Sequence, residues 1–404
     1  MMNPLPLVFG MARRHVVICG AFVGLIALAV GIGAAITAQE RGLRSGSARA
    51  AEGFDLIVAR PASQTDLLLR VVYLQPGSVE LIEGEALRTL MIEDRADYVA
   101  PIGFGDSVDG DPVVGTIAAL VGDLGGGVVE GRVFANRYEA VVGANSPLRI
   151  GDIFQASHGH GVETLDGTHH GAELTVVGRI GATGSPWDRA IMVPIEFTWT
   201  VHNLGTGHAV DDPNVIGPPF DLDVMPGIPA AVLKPASLAA AYGLRGEYRT
   251  VETTAFFPAE VLVQLYELLG DVRTVMTWLA IATEVLLVAA VLAGLLILMQ
   301  LYRQRFAVLR ALGASRPYVF AVAWTFGFGL IALGSFIGLG VAALLTGVVS
   351  SILSRASGIA LSASVGSTEI WLAVILTAAG AILALLPAAL LYRRPVVEAL
   401  RGAA

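Results

Sequence analysis

"LYRQRFAVLRALGASRPY" occupies residues 301–318, between two long apolar stretches. It holds four arginines, Arg303, Arg305, Arg310 and Arg316, and no acid. Phe306, Leu309 and Leu312 fall near one helical face, while Arg303 and Arg310, seven apart, share another. Gly313 is a C-cap candidate and Pro317 follows it, so a short helix is expected. A basic amphipathic segment flanked by membrane-length apolar runs belongs at the cytoplasmic surface, where positive flanks collect.

The rest of the chain agrees with a membrane setting. Of its 404 residues 54% are hydrophobic, and mean hydropathy is +0.68, high for a soluble protein of this size. Residues 16–38 carry no charge and are long enough to cross a bilayer. Further spans are expected within 274–302, at 317–350 and at 370–392. The uncharged run 317–354 reads either as one long helix or as two short spans. Parity decides for one. Arg13 and Arg14 precede the first span, and with four spans the arginines at 303–316 and at 393, 394 and 401 share their side. The apolar core at 16–38 exceeds that of a cleaved signal peptide, so an uncleaved anchor is expected.

The predicted layout is then a cytoplasmic N-terminus (1–15), a first span (16–38), a periplasmic domain (39–273), a stalk and second span (274–302), and a cytoplasmic helix (303–316). A third span (317–350), an outer loop (351–369), a fourth span (370–392) and a cytoplasmic tail (393–404) complete it. The fold class is a membrane protein of four transmembrane helices, with a large mixed α/β extracytoplasmic domain inserted between the first two. Charge supports the division. Residues 40–273 hold 31 of the 34 acids against 16 of the 26 Lys plus Arg, a net charge of −15.

Within the outer block, short apolar or alternating runs at 54–60, 138–143, 173–180, 189–195 and 230–234 read as strands, separated by Gly, Pro and Asp clusters. Helices are expected at 83–92 and 236–243, and again after Pro258, continuing towards the second span. Such a domain could have two lobes. Glu284 at the head of the second span reads as an interfacial carboxylate. Gly20 with Gly24, and Gly334 with Gly338, have the spacing that lets membrane helices approach closely.

"SHGHGVETLDGTHHGAE" (157–173) holds His158, His160, His169 and His170, four of the seven histidines. With Glu163, Asp166 and Glu173 among them, they form a ligand set for a borderline ion such as zinc. The glycines equally suit a solvated loop in which the histidines bind nothing. At 181–192, Asp188 and Arg189 suggest a local ion pair or a partner contact, with a structural turn as the plainer reading. Several functions are disfavoured outright. The only cysteine is Cys19, which precludes an intrachain disulfide. The only lysine is Lys234, followed by Pro235, so no phosphate-binding Gly-Lys-Ser/Thr loop exists. No nucleophile elbow or HExxH is present, so the chain is read as a non-catalytic subunit. The acidic outer block argues against nucleic-acid binding.

"RQRFAVLRALGAS" (303–315) resembles the segment that follows the second span in FtsX/MacB-type ABC permeases. "PAALLYRRPVVEALRG" (387–402) resembles their closing motif, a proline and basic patch before Pro395-Val396-Val397-Glu398-Ala399-Leu400-Arg401. "GRVF…EAVVG" (131–143) and "VVGRIGATGSPWDRAIMVPIE" (176–196) are loosely similar to the outer domain of the same group. The resemblance implies a permease subunit in the bacterial inner membrane, multi-pass, with both termini cytoplasmic. It also implies a cytoplasmic ABC ATPase subunit as partner, a second permease copy in a homodimer or heterodimer, and contact with membrane lipid and a periplasmic partner protein. The helix after the second span would couple the ATPase to the outer domain, a role carried here to Arg303, Arg305, Phe306, Leu309, Arg310 and Gly313. Arg305 departs from the pattern, since many members have an acid there. A second class remains open, a non-transporting regulator of an envelope enzyme. So does a third, a membrane-anchored metal sensor.

Overall fold

A computed structural model describes residues 3–158, 168–267, 302–386, 388 and 389, and between them 278, 289, 292–294, 296, 297 and 300. The chain divides into two units. One comprises Met1–Leu43, Gly270–Ile352 and Ser362–Ala404, the other Arg44–Leu269 and Leu353–Leu361. Helix α1, Leu5–Arg14, precedes α2, Val16–Ala51. Prolines at the start of α1 suit a first turn whose amides lack helical partners, and Arg13 and Arg14 sit favourably in its last turn. The 36 residues of α2 exceed the roughly 20 needed to span a bilayer.

The second of the two units, expected outside the membrane and called the outer unit for that reason, begins with β1, Leu56–Ala59, whose four residues are all buried. Ile57 and Ala59 join one core, and Leu56 and Val58 a second on the opposite face. An unbroken apolar run is what a strand covered on both sides requires. Helices α3 (Gln64–Val71) and α4 (Gly84–Met91) follow, then β2 (Ala96–Val108), β3 (Asp111–Thr116) and α5 (Ala118–Asp123). Next come β4 (Val128–Gly131), β5 (Glu139–Val142), β6 (Ile153–His158), β7 (Thr168–Ile180), β8 (Ile191–Pro194) and α6 (Ile195–Val201). Strand β9 (Ala230–Pro235), helix α7 (Leu238–Glu247), β10 (Thr254–Phe256) and a helix α8 over 258–267 complete the unit.

The long strand β2 belongs to two sheets. Its residues 96–102 pair antiparallel with β9, which continues through β1 to β10. Beyond a register shift between Phe104 and Asp106, it pairs with β3 on one side and β6 on the other. Gly105, at φ +147°, supplies the backbone freedom this bend needs. The pairs β3–β8, β8–β5, β5–β7 and β7–β6 then close a ring of six strands with β2. Among the described residues β4 adds to β7 outside this ring as an edge strand. Val113, Ala140, Val142, Ala156, Leu174, Val176, Ile191, Val193 and Phe197 form one buried cluster of this barrel. The outer unit therefore has two lobes, an open four-stranded sheet with helices and a small barrel, sharing β2.

The expected turn at 181–192 is structural. Asp188 is buried and accepts hydrogen bonds from Thr183 N, Thr183 Oγ1 and Gly184 N at 2.6, 2.7 and 2.9 Å. Its neighbour Arg189 pairs with Asp111 at 2.5 Å, not with Asp188. Burial pushes the Asp111 carboxyl above its ordinary range, against the pull of Arg189. Trp187 is fully buried and donates its indole N–H to Val71 O.

In the membrane unit, α9 (Arg303–Ala311) leads into α10 (Arg316–Ser357), and α11 is Ser367–Leu383. The long uncharged run is one unbroken helix. Among the described residues, α2 and α10 are long and apolar enough to cross a membrane. The 17-residue α11 is shorter. Its helix starts before the expected 370, and a turn at Ala384 interrupts the 370–392 stretch. Most of the expected second span, Glu284 included, lies outside the described residues.

Among the described residues, close packing in the membrane unit is seen at one of the two expected glycine pairs. A Cβ on Gly334 would lie 2.7 Å from Ile26 Cβ, and one on Gly338 would lie 2.8 Å from Val30 Cβ. Both glycines thus let α10 approach α2. Cβ atoms on Gly20 and Gly24 would meet nothing described within 4 Å.

Candidate coupling site

Helix α9 is held by its own first turn and by a glycine closure at its end. Tyr302, just before it, is 1% exposed and donates its hydroxyl to Met11 O at 2.8 Å. The Tyr302 ring meets His15 and Phe326 edge-on at 5.4 and 5.9 Å, and the Arg305 guanidinium lies 5.5 Å from its centroid. At the other end Gly313 has φ +100°. Its amide donates to Arg310 O at 3.1 Å, and the Ala314 amide donates to Leu309 O at 3.0 Å. This pair of backward bonds around a left-handed glycine satisfies carbonyls that the last turn leaves open. Gly313 thus has the stop role the sequence implies.

The inner face of α9 differs from the one expected. Phe306 and Ala307 are each 4% exposed, and Phe306 joins Met11, Cys19, Val319, Val322, Ala323 and Phe326 in one core cluster. Leu309 packs partly against that cluster. A groove of about 210 Å³ between α1 and α9 is lined by Leu7, Met11, Arg14, Arg305, Phe306 and Leu309 among others. Phe306 therefore anchors α9 to the chain's own helices. Val308 and Leu312, one turn apart, are 50% and 80% exposed. Arg305 and Ala311 are exposed with them, while Arg310 is half-buried and has an interaction of its own. The Arg303 backbone opens the helix, and its side chain lies outside the described set.

Two features of this site escaped the sequence reading. Helix α1 is one, and its signal is Leu7, Val8, Met11 and Ala12 recurring at helical spacing ahead of Arg13 and Arg14. Val308 is the other, since the apolar spacing of Phe306 and Leu309 places it off the expected face.

The histidine site cannot be assembled in the same way. His158 ends β6, and His169 and His170 lie at the start of β7. His160 and the side chains of all four lie outside the described residues, as does the closing motif at 387–402 apart from residues 388 and 389. Among the described residues, no cluster of three or more His, Cys, Asp or Glu is placed to hold a metal ion.

Residues 278–396 match the family model of the FtsX-like permease C-terminal domain. No curated protein matches the chain significantly. The match takes in most of the described membrane unit after the outer domain, α9 with its glycine closure, α10 and α11. Over residues 278–396 the chain is similar to the FtsX-like permease C-terminal domain, which supports the resemblance to FtsX/MacB-type permeases.

Proposed function

We propose that this chain is the membrane subunit of an ABC transporter complex, and that α9 is where a separate cytoplasmic ATPase docks. Proteins of the FtsX-like permease family are generally non-catalytic subunits that work with an ABC ATPase, and the chain's lack of a phosphate-binding loop agrees. One observation carries the docking assignment: a helix anchored by Phe306 presents Val308 and Leu312 outward beside Arg305. An exposed apolar pair with a flanking cation fits a helix-in-groove contact with an acidic rim. Of the residues first assigned to coupling, Phe306, Leu309 and Gly313 position the helix, and Arg305 with Arg310 supplies charge. Arg303 shares that basic character.

In this reading ATP-driven motion reaches the periplasmic domain, which moves or acts on an envelope substrate. The protein sits in the bacterial inner membrane with α9 on the cytoplasmic side and pairs with a second permease copy. A periplasmic partner completes the complex, and zinc at His158, His160, His169 and His170 would tie the system to metal handling. Co-expression with the cognate ABC ATPase and purification in detergent tests the docking. Val308→Asp combined with Leu312→Glu should abolish retention of the ATPase while leaving thermal stability of the permease unchanged. Undiminished retention would rule out this face.

A further inference from the structure

The outer unit contains a groove of about 500 Å³, within the range of small-molecule sites. Phe54, Leu238, Tyr242 and Phe257 give it an apolar floor and wall. Leu238 is 75% exposed and Tyr242 52%, and both stand on helix α7, so apolar surface is left open to solvent. The rings of Tyr242 and Phe257 meet edge-on at 5.2 Å. Arg245 covers both, with its guanidinium carbon 5.1 Å from one centroid and 4.8 Å from the other. Its charge is committed to Glu260, at 2.6 Å.

On the rim, Glu52 and Asp55 are exposed. Neither carboxylate has a hydrogen bond or ion pair among the described residues. The groove thus pairs an aromatic wall with two exposed negative charges, of which Asp55 also feels the more distant charge of Lys234. An anion would be repelled by Glu52 and Asp55, and no Lys or Arg lines the groove among the described residues. A neutral apolar molecule would cover the floor and leave both acids unanswered. A cation carrying an apolar body satisfies both halves, with its charge at the carboxylates and its body against Tyr242, Phe257 and Leu238.

We infer that this groove binds small amphiphilic cations, amines bearing an aromatic or alkyl body. The site lies wholly in the outer unit, and its occupancy does not depend on an ATPase. 4-Phenylbutylamine is a suitable probe, titrated calorimetrically against the full chain in lipid nanodiscs, with empty discs subtracted. Saturable binding at one site is expected. The isosteric 4-phenylbutanol should bind at least tenfold more weakly, and 4-phenylbutyrate should show no binding. Glu52→Gln with Asp55→Asn should weaken the amine at least tenfold at unchanged melting temperature. Leu238→Ala, equally superficial, should weaken amine and alcohol by the same factor. Equal binding of the three probes, an unaltered affinity in the double variant, or no saturable signal above empty discs would overturn the inference.

Discussion

Arg41 and Glu369 are 328 positions apart, yet the two guanidinium nitrogens of Arg41 meet the two carboxylate oxygens of Glu369 at 3.0 and 3.1 Å. Glu369 is completely buried, and it also accepts from the Gly366 amide at 2.8 Å. Arg41 spends its second nitrogen on Ser364 O as well, so the pair ties α2 to the segment that begins α11. Fork-to-fork geometry of this kind is the strong form of an ion pair.

Removing one partner should cost more than removing both, because a buried carboxylate would be left unanswered. Arg41→Met is therefore expected to lower the melting temperature of the detergent-solubilised chain clearly. Adding Glu369→Gln should recover part of the loss. Arg41 is 44% exposed, and the coupling measured by the double-mutant cycle should accordingly be modest, about 1 kcal/mol. Strictly additive losses would show that the pair contributes nothing.

Gly338 and Gly24 make a matched comparison. A methyl on Gly338 would fall 2.8 Å from Val30 Cβ and 2.9 Å from Ala27 O, against backbone that cannot yield cheaply. A methyl on Gly24 meets no described atom within 4 Å. Gly338→Ala should destabilise the membrane unit by about 1–3 kcal/mol, as overpacking does. Gly24→Ala should be neutral or slightly stabilising, since it removes helix-interior glycine. Thermal denaturation in one detergent reads both.

The acid limb of the outer unit should depend on Glu93. The Arg95 guanidinium hydrogen-bonded to it, at 2.8 Å, holds this carboxyl down at about 2, against the cost of burial. Tyr248 donates to it as well, at 3.1 Å. A carboxylate whose folded value is depressed contributes stability above its unfolded value of about 4.3, and that contribution fades as pH falls towards 2. Glu93→Gln should therefore be less stable than wild type at pH 7, by about 1 kcal/mol. Resistance to limited proteolysis should converge for the two proteins between pH 5 and pH 2. A difference that persisted undiminished at pH 2 would exclude this cause.

Gly313→Ala tests the closure of α9. At φ +100° an L side chain is strained, so a loss of about 1 kcal/mol is expected. Phe306→Ala opens the core beneath the same helix and should cost about 3–5 kcal/mol. Hydrogen exchange over residues 303–314 should rise in both variants, and more in the second.

How far the sequence anticipates these features depends on how local their causes are. The stop at Gly313 is readable because a glycine followed closely by proline ends a helix by backbone chemistry alone. Strands such as β1 are readable because four consecutive apolar residues sit between turn signals. The barrel is not, since its closure depends on β2 bending at Gly105 and pairing with β6, a partner distant in sequence. The inner face of α9 was misplaced for a similar reason. Periodicity grouped Phe306, Leu309 and Leu312, but Leu312 stands at the helix end, where the chain turns outward. What Phe306 and Ala307 pack against is set by α1 and α10, which no local pattern reveals. The pairing of Gly338 rather than Gly24 is equally non-local, because both lie in the same glycine spacing.

The docking proposal rests on Leu312 facing the cytoplasm and being covered by an ATPase. Cys19 is the only cysteine, so a Cys19→Ala, Leu312→Cys chain carries one reporter thiol. Its reaction with a membrane-impermeant maleimide should be absent in intact spheroplasts, rapid in inverted membrane vesicles, and slowed at least tenfold when the cognate ATPase is bound. Labelling in intact spheroplasts, or a rate in vesicles indifferent to the ATPase, would contradict it.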